Sequence, residues 1–346
     1  MTTTKVTSGW QWLTGLFANE TFVYVGKRLL QALLTLLLAS ALSFFIIQLA
    51  PGDYLDMLKQ NPKISPERIE ELRQQFGLDR SWPEQYGLWL WRILTAGDFG
   101  TSFIYQRSVA SLLGERVSAT LLLAISSLIV TWAIAIPLGM IAAVKQNHLI
   151  DRCLRVLSYG GQGFPSFITA LLLLILAQNT SPLFPVGGMT SINYADLSPF
   201  GQFLDIAWHM ILPTLALSVT SFAGLQRITR GELLDVLRQD YIQTARAKGL
   251  PENRVLYVHA LRNAVNPLIT LLGFELASLL SGAFIAEFFF NWPGLGRLIL
   301  QAVTAQDLYL VMASLVMGAV MLIVGNLLAD LLLKAADPRI RLDSIN

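Results

Sequence analysis

Six apolar runs divide the chain. The first, Leu29–Leu49, is 21 residues long and at 1.5 Å per residue covers about 31 Å, the thickness of a bilayer's hydrocarbon core. The others run from about Ser118 to Val144, Val156 to Gln178, Met210 to Leu225, Leu268 to Phe290 and Tyr309 to Leu333. Pro137 kinks the second run, and Gly160, Gly161, Gly163 and Pro165 interrupt the third. In lipid such breakers survive where neighbouring helices or water satisfy the freed backbone groups. The pattern predicts an all-α integral membrane protein with six transmembrane helices.

Polar and amphipathic stretches separate the runs. Residues 1–28 form a tail in which Trp10, Leu13, Leu16 and Phe17 fall at helical spacing, as either an interfacial helix or a solvated segment. The apolar run that follows is too long for a signal-peptide core, and no small-residue cleavage pattern ends it. After the span at 29–49, residues 50–116 predict short helices. Ser65-Pro66 offers an N-cap with proline at the first helical position, and Ile69, Leu72 and Phe76 form a stripe ending at Gly77. Tyr86, Trp89, Leu90 and Ile93 mark a second piece between Pro83 and Thr95, closed by Gly97. Residues 117–333 hold the five remaining spans, and 334–346 a C-terminal tail.

Lysine and arginine orient the chain. With six spans, the termini and two loops share one side and carry 16 of the 25 basic residues, seven of them between Arg227 and Arg262. The two short loops opposite carry Arg297 alone, and the other eight lie in 50–116, long enough to escape the positive-inside rule. Both termini and the loop at 227–267 are therefore expected in the cytoplasm, and 50–116 outside.

The composition narrows the function. The chain is 54% hydrophobic and 14% charged with a net charge of +2, and its interspersed charges cannot follow a phosphate backbone, so no nucleic-acid partner is expected. One cysteine (Cys153) and three scattered histidines (His148, His209, His259) provide no metal-ligand spacing. There is no G-x-x-x-x-G-K-[ST] loop and no nucleophile–base pair. No metal, cofactor or enzymatic activity is expected. No internal repeat supports an inverted-repeat secondary transporter.

The stretch Asp240–Pro267 is polar, basic and helix-prone between apolar runs. Tyr241, Ala245 and Lys248 share one helical face, Lys248 suits the C-terminal dipole, and Gly249 is placed as the left-handed residue after the last turn. Pro251 suits the first turn of a second helix in which Val255, Val258 and Leu261 recur. Ala245 and Gly249 form a small-residue notch at the bend, where another surface could approach closely.

These residues resemble the cytoplasmic "EAA" loop of importer permeases powered by ATP-binding cassettes. Gln243-Thr244-Ala245 occupies the E-A-A places, so only the second alanine and the glycine match the general consensus. YIQTARAKGL followed by HALRNAVNP is similar to the dipeptide/oligopeptide/nickel branch. So are APGD at Ala50–Asp53, GDFGTS at Gly97–Ser102, the Pro213 span leading to Arg227 and Arg230, Glu287 with NWPGLGRL at Asn291–Leu298, and NLLADLLLKAADPRIR at Asn326–Arg341. The resemblance covers roughly residues 25–341, in order.

It implies a type-1 permease subunit with a second homologous permease, two ATPase subunits and an extracytoplasmic substrate-binding protein as partners, besides membrane lipid. The cargo would be peptides, or nickel chelates. By the same likeness the coupling residues are Tyr241, Thr244, Ala245, Arg246, Lys248 and Gly249: backbone closeness from Ala245 and Gly249, contacts or positioning charge from Tyr241, Arg246 and Lys248.

Within the spans, Glu275 is a functional-site hypothesis by default and a departure from the uncharged polar residue the family carries there. It belongs either to a translocation path favouring amine-bearing cargo or to a span end or chain interface. Ser278, Ser281 and Gly282, with Gly273, Ala277 and Ala283, make the same span small-surfaced, for path or for close packing. Glu287 and Asp330 are expected at span ends, snorkelling or packing, and Asn326 as a hydrogen-bond partner between helices. Two rival functions stand: a secondary transporter driven by an ion gradient through Glu275 and Asp330, and a scaffold that transports nothing.

Overall fold

The computed structural model describes residues 19–49, 52, 54–59 and 64–336. The tail helix around Trp10 and most of the C-terminal tail lie outside them.

Among the described residues the regular structure is helical, with turns and loops between and one isolated bridge between Thr101 and Ser108. The first helix, α1 (Asn19–Leu49), is followed by three shorter ones: α2 (Tyr54–Lys59), α3 (Pro66–Gln75) and α4 (Trp82–Ala96). Ser65 caps α3, its hydroxyl accepting from the Arg68 N–H at 3.3 Å. Gly97 ends α4 at φ +63°, a left-handed conformation that glycine adopts without strain. The long α5 (Val109–Val144) comes next, with Pro137 inside it.

The third apolar run is two helices, not one. α6 (Leu149–Gly163) and α7 (Ser166–Asn179) meet at 101°. Pro165 forces Phe164 into extended backbone at ψ 120° and removes an N–H, so the helix cannot continue. α6 is amphipathic, burying Asp151, Leu154 and Ser158 while Val156, Leu157 and Tyr159 are exposed.

α8 (Pro199–Leu237) has 39 residues, about 58 Å long, and outruns the apolar stretch Met210–Leu225 at both ends. Behind it lie α9 (Asp240–Ala247), one helical turn at Glu252–Arg254, a π-helical segment at Val255–Ala260, and α10 (Leu261–Phe289). α11 (Leu295–Thr304) and α12 (Leu308–Ala336) complete the chain. Among the described residues four helices are long and apolar enough to cross a membrane, five if the bent pair counts as one span.

The core follows this layout. α5 and α8 pack against each other more extensively than any other pair. At Gly139 an added Cβ would lie 2.7 Å from the Thr229 Cβ and 2.9 Å from the Gln226 carbonyl, so only glycine lets these backbones approach. A second core joins α2–α4 to the membrane helices through Leu55, Phe76, Trp89, Phe103, Leu298 and Tyr309. Asp307 fastens it, accepting from Ser102 Oγ at 2.6 Å and the Ile104 N–H at 3.1 Å. A third core lies at the far end, where Leu233 of α8 meets Ile242, Ala245 and Val255.

Candidate functional site

That third core builds the loop at 227–267. Ile242 and Ala245, three residues apart on α9, are buried on Leu233 and Val255. The helix ends in a paired C-cap: Gly249 N–H donates to the Arg246 carbonyl at 2.9 Å and Leu250 N–H to the Ala245 carbonyl at 3.4 Å, with Gly249 at φ +73°. Arg246 reaches across the turn to Glu252 with Nη2 at 2.7 Å from Oε1 and Nε at 3.2 Å from Oε2. This hydrogen-bonded pair holds the Glu252 carboxyl below the usual carboxylate range and pushes the Arg246 guanidinium up.

The expected coupling residues therefore separate. Tyr241, Thr244, Lys248 and Gly249 are exposed; Thr244 Oγ1 donates back to the Asp240 carbonyl at 2.9 Å. Ala245, 7% exposed, faces the chain's own core. It does not share an outward face with Tyr241, and the notch expected at this position is filled from within. Arg246 is engaged with Glu252. At Gly249 an added Cβ would meet nothing of this chain within 4 Å, so the glycine answers to its backbone angle. Pro251 stands just before the helical turn at Glu252 rather than inside it.

Further along α10, the half-buried Glu275 carboxylate accepts from Trp132 Nε1 of α5 at 2.9 Å, with Ser221 of α8 close by. Three helices thus converge on one carboxylate. Ser278, Ser281 and Gly282 continue the same helix, and their side chains lie outside the described residues.

Glu287, 12 residues on and about 18 Å away, is wholly buried. It accepts from Thr120 Oγ1 at 2.6 Å and the Arg297 N–H at 3.1 Å, at the start of α11, where partial positive charge favours an anion. A Cβ on Gly294 would overlap its carboxyl group. Thr120 Oγ1 also accepts from the Leu295 N–H at 2.8 Å, and Trp292 Nε1 donates to the Ala119 carbonyl at 3.0 Å. The NWPGLGRL string is thus a cradle for Glu287, which does not snorkel. Asp330 is paired with Arg28 at 3.2 Å. Asn326 is exposed rather than bridging helices.

Sequence reasoning missed a second charge site. Asp151 of α6, fully buried, receives a bidentate pair from Arg230 of α8, Nε–Oδ1 2.6 Å and Nη2–Oδ2 2.9 Å. About two turns further along α6, Ser158 Oγ donates to Gln226 Oε1, also buried. The one signal was a lone acid and small polar residues on an otherwise apolar stripe of α6.

A helical chain with several helices long and apolar enough to cross a membrane, and a basic loop folded as helix–turn–helix, defines a class, the multi-pass α-helical membrane proteins. More narrowly, the chain belongs to the family described as binding-protein-dependent transport system inner membrane component, whose model matches residues 135–342, with the family's N-terminal model on residues 21–124. It is a multi-pass protein of the cytoplasmic membrane. The oligopeptide transport system permease protein AppB of Bacillus subtilis is 40% identical over 318 residues, 92% of this chain and 98% of the relative. The dipeptide transport system permease protein DppB of Escherichia coli K12 is 36% identical over 334 residues with the same coverage. A solved structure of the MetNI methionine ABC transporter in an inward-facing conformation aligns with TM-score 0.48 at 16% identity, over 64% of this chain and 97% of that one.

Proposed function

We propose that this chain is a membrane-spanning permease subunit of an ATP-driven peptide importer. The observation that carries the reading is the near full-length match to relatives described as oligopeptide and dipeptide permeases. Peptides are preferred to nickel chelates on the same ground. Six spans are assigned to α1, α5, the bent pair α6–α7, α8, α10 and α12, with both termini in the cytoplasm.

α9 is the coupling element. Its outward face, Tyr241, Thr244 and Lys248, meets one of two partner ATPases; its inward face, Ile242 and Ala245, transmits the push to α8 through Leu233. α8 and α5 then turn as a unit, because Gly139 seats them in backbone contact. Nucleotide on one side and a loaded extracytoplasmic binding protein on the other bias the two states of this body. A second homologous permease completes the path, and Glu275, with Ser278, Ser281 and Gly282, lines it.

The test is reconstitution in proteoliposomes with the second permease, both ATPases and the binding protein. Peptide uptake should require ATP and withstand a protonophore. Uptake that persists without ATPases and collapses with the ion gradient would establish a secondary transporter, and none under any energy source would leave the scaffold. Labelling of single cysteines in a Cys153→Ser background checks the six spans.

A further inference from the structure

Between α1 and α12 lies a groove of about 400 Å³, open to the outside of the chain. At one end Arg28, Tyr24 and Asp330 interlock: Tyr24 Oη donates to Asp330 Oδ2 at 2.6 Å, Arg28 Nε donates to Tyr24 Oη at 2.8 Å, and Arg28 Nη2 lies 3.2 Å from Asp330. Of the guanidinium's five N–H groups, those on Nη1 are not engaged by this triad.

The groove does not turn apolar at once. Gln31 lies one turn of α1 deeper than Arg28, and Asn326 about one turn of α12 from Asp330. Both carboxamides are exposed, and neither has a side-chain hydrogen bond to a described residue. Thr35, deeper still, is satisfied by the Gln31 carbonyl at 2.9 Å. Leu34, Ile323 and Leu327 flank these polar residues, and beyond Thr35 the exposed Leu38 and Leu42 continue the Leu34 face of α1. An amide facing hydrocarbon without a partner costs several kcal/mol, so two of them at the same depth, below a cation, call for an occupant with acceptors there.

We infer that this groove binds one glycerophospholipid of the surrounding leaflet. Its phosphate sits against the free edge of Arg28, its ester carbonyls accept from the Gln31 and Asn326 carboxamides, and an acyl chain follows Leu34 and Ile323. The order of groups in the groove, cation, amide donors, then apolar wall, matches the order in a phospholipid from headgroup to chain. The inference rests on α1 and α12 crossing the membrane, and the leaflet is the cytoplasmic one under the orientation proposed above.

The experiment is a titration of the full-length chain in detergent with phosphatidylglycerol and with phosphatidylethanolamine, read by native mass spectrometry. Wild type should retain one phospholipid per chain after delipidation. The double variant Gln31→Leu/Asn326→Leu should lower that occupancy on the order of tenfold without lowering the unfolding temperature. Leu34→Trp, which fills the groove and leaves the amides intact, should lower it independently. Equal occupancy in wild type and both variants, or none in wild type, would overturn the inference. So would a photo-crosslinker at position 31 that captures a second protein chain in place of lipid. Retention is read without uptake, so its failure leaves the permease reading standing, and loss of uptake leaves retention standing.

Discussion

Two glutamates on one helix have opposite surroundings. Glu287 is wholly buried, and the chain supplies its donors, Thr120 Oγ1 and backbone N–H groups at the start of α11. Glu275, about 18 Å along α10, is half-buried, with Trp132 Nε1 as its donor among the described residues. Each carboxylate oxygen accepts two hydrogen bonds, so Glu275 keeps acceptor capacity that the described residues leave open. The difference separates a group that holds the structure together from one that can meet something passing by. The same division runs through α9, where Ala245 is buried in the chain's own core and Arg246 is held by Glu252, while Tyr241, Thr244 and Lys248 are exposed and without such ties to the core.

The largest expected effect follows directly. Glu287→Ala strands several buried donors and should cost about 3 kcal/mol, seen as a lower unfolding temperature in detergent. Glu275→Ala should cost under about 1 kcal/mol by the same measurement. Equal losses would break the comparison.

Selectivity comes next. Glu275→Gln keeps a hydrogen-bonding side chain and removes the charge. Competition uptake should then lose preference for cationic over neutral peptides on the order of tenfold, about 1.4 kcal/mol. An unchanged profile would move Glu275 to the structural side.

At the turn, Gly249→Ala should cost about 1 kcal/mol from its left-handed backbone, with Gly249→Asn costing less. If Asn restores ATP-coupled uptake as well as stability, the glycine serves the fold alone. If it restores stability without coupling, the outward surface needs the absence of a side chain.

The smallest effect is the Arg246–Glu252 clasp. Glu252's folded value is lowered, so the pair stabilises above the ordinary carboxylate value of 4.5 and its contribution disappears as the pH falls through the folded value. With both side chains more than a third exposed, solvent holds it to about 0.5 kcal/mol. Glu252→Gln should match wild type under acid in thermal unfolding and fall slightly below it at neutral pH.

Much of this architecture was legible in the sequence, for local reasons. Long apolar runs, Ser65 before Pro66, and Gly97 and Gly249 after amphipathic stripes specify helices and their ends within a few residues. What escaped depends on partners far along the chain. Nothing near Glu287 announces Thr120, 167 positions away, so its glycine-rich neighbour reads as a family string rather than as a cradle. Periodicity placed Tyr241 and Ala245 on one face, but which side turns inward was decided by Leu233 and Val255. The bend at Pro165 was visible as a breaker, and its 101° angle was not. The π-helical Val255–Ala260 left no trace, because its residues suit an ordinary helix equally well.

The filled underside of α9 has a thermodynamic consequence. Ordering a residue's backbone costs about 1–2 kcal/mol, and for these eight residues that loss is met when the chain folds, by Ile242 and Ala245 against Leu233. A protein arriving at Tyr241 and Lys248 therefore docks on a surface already set. Calorimetry of that association should show a heat-capacity change no larger than the contact area requires, without the excess that marks folding upon binding.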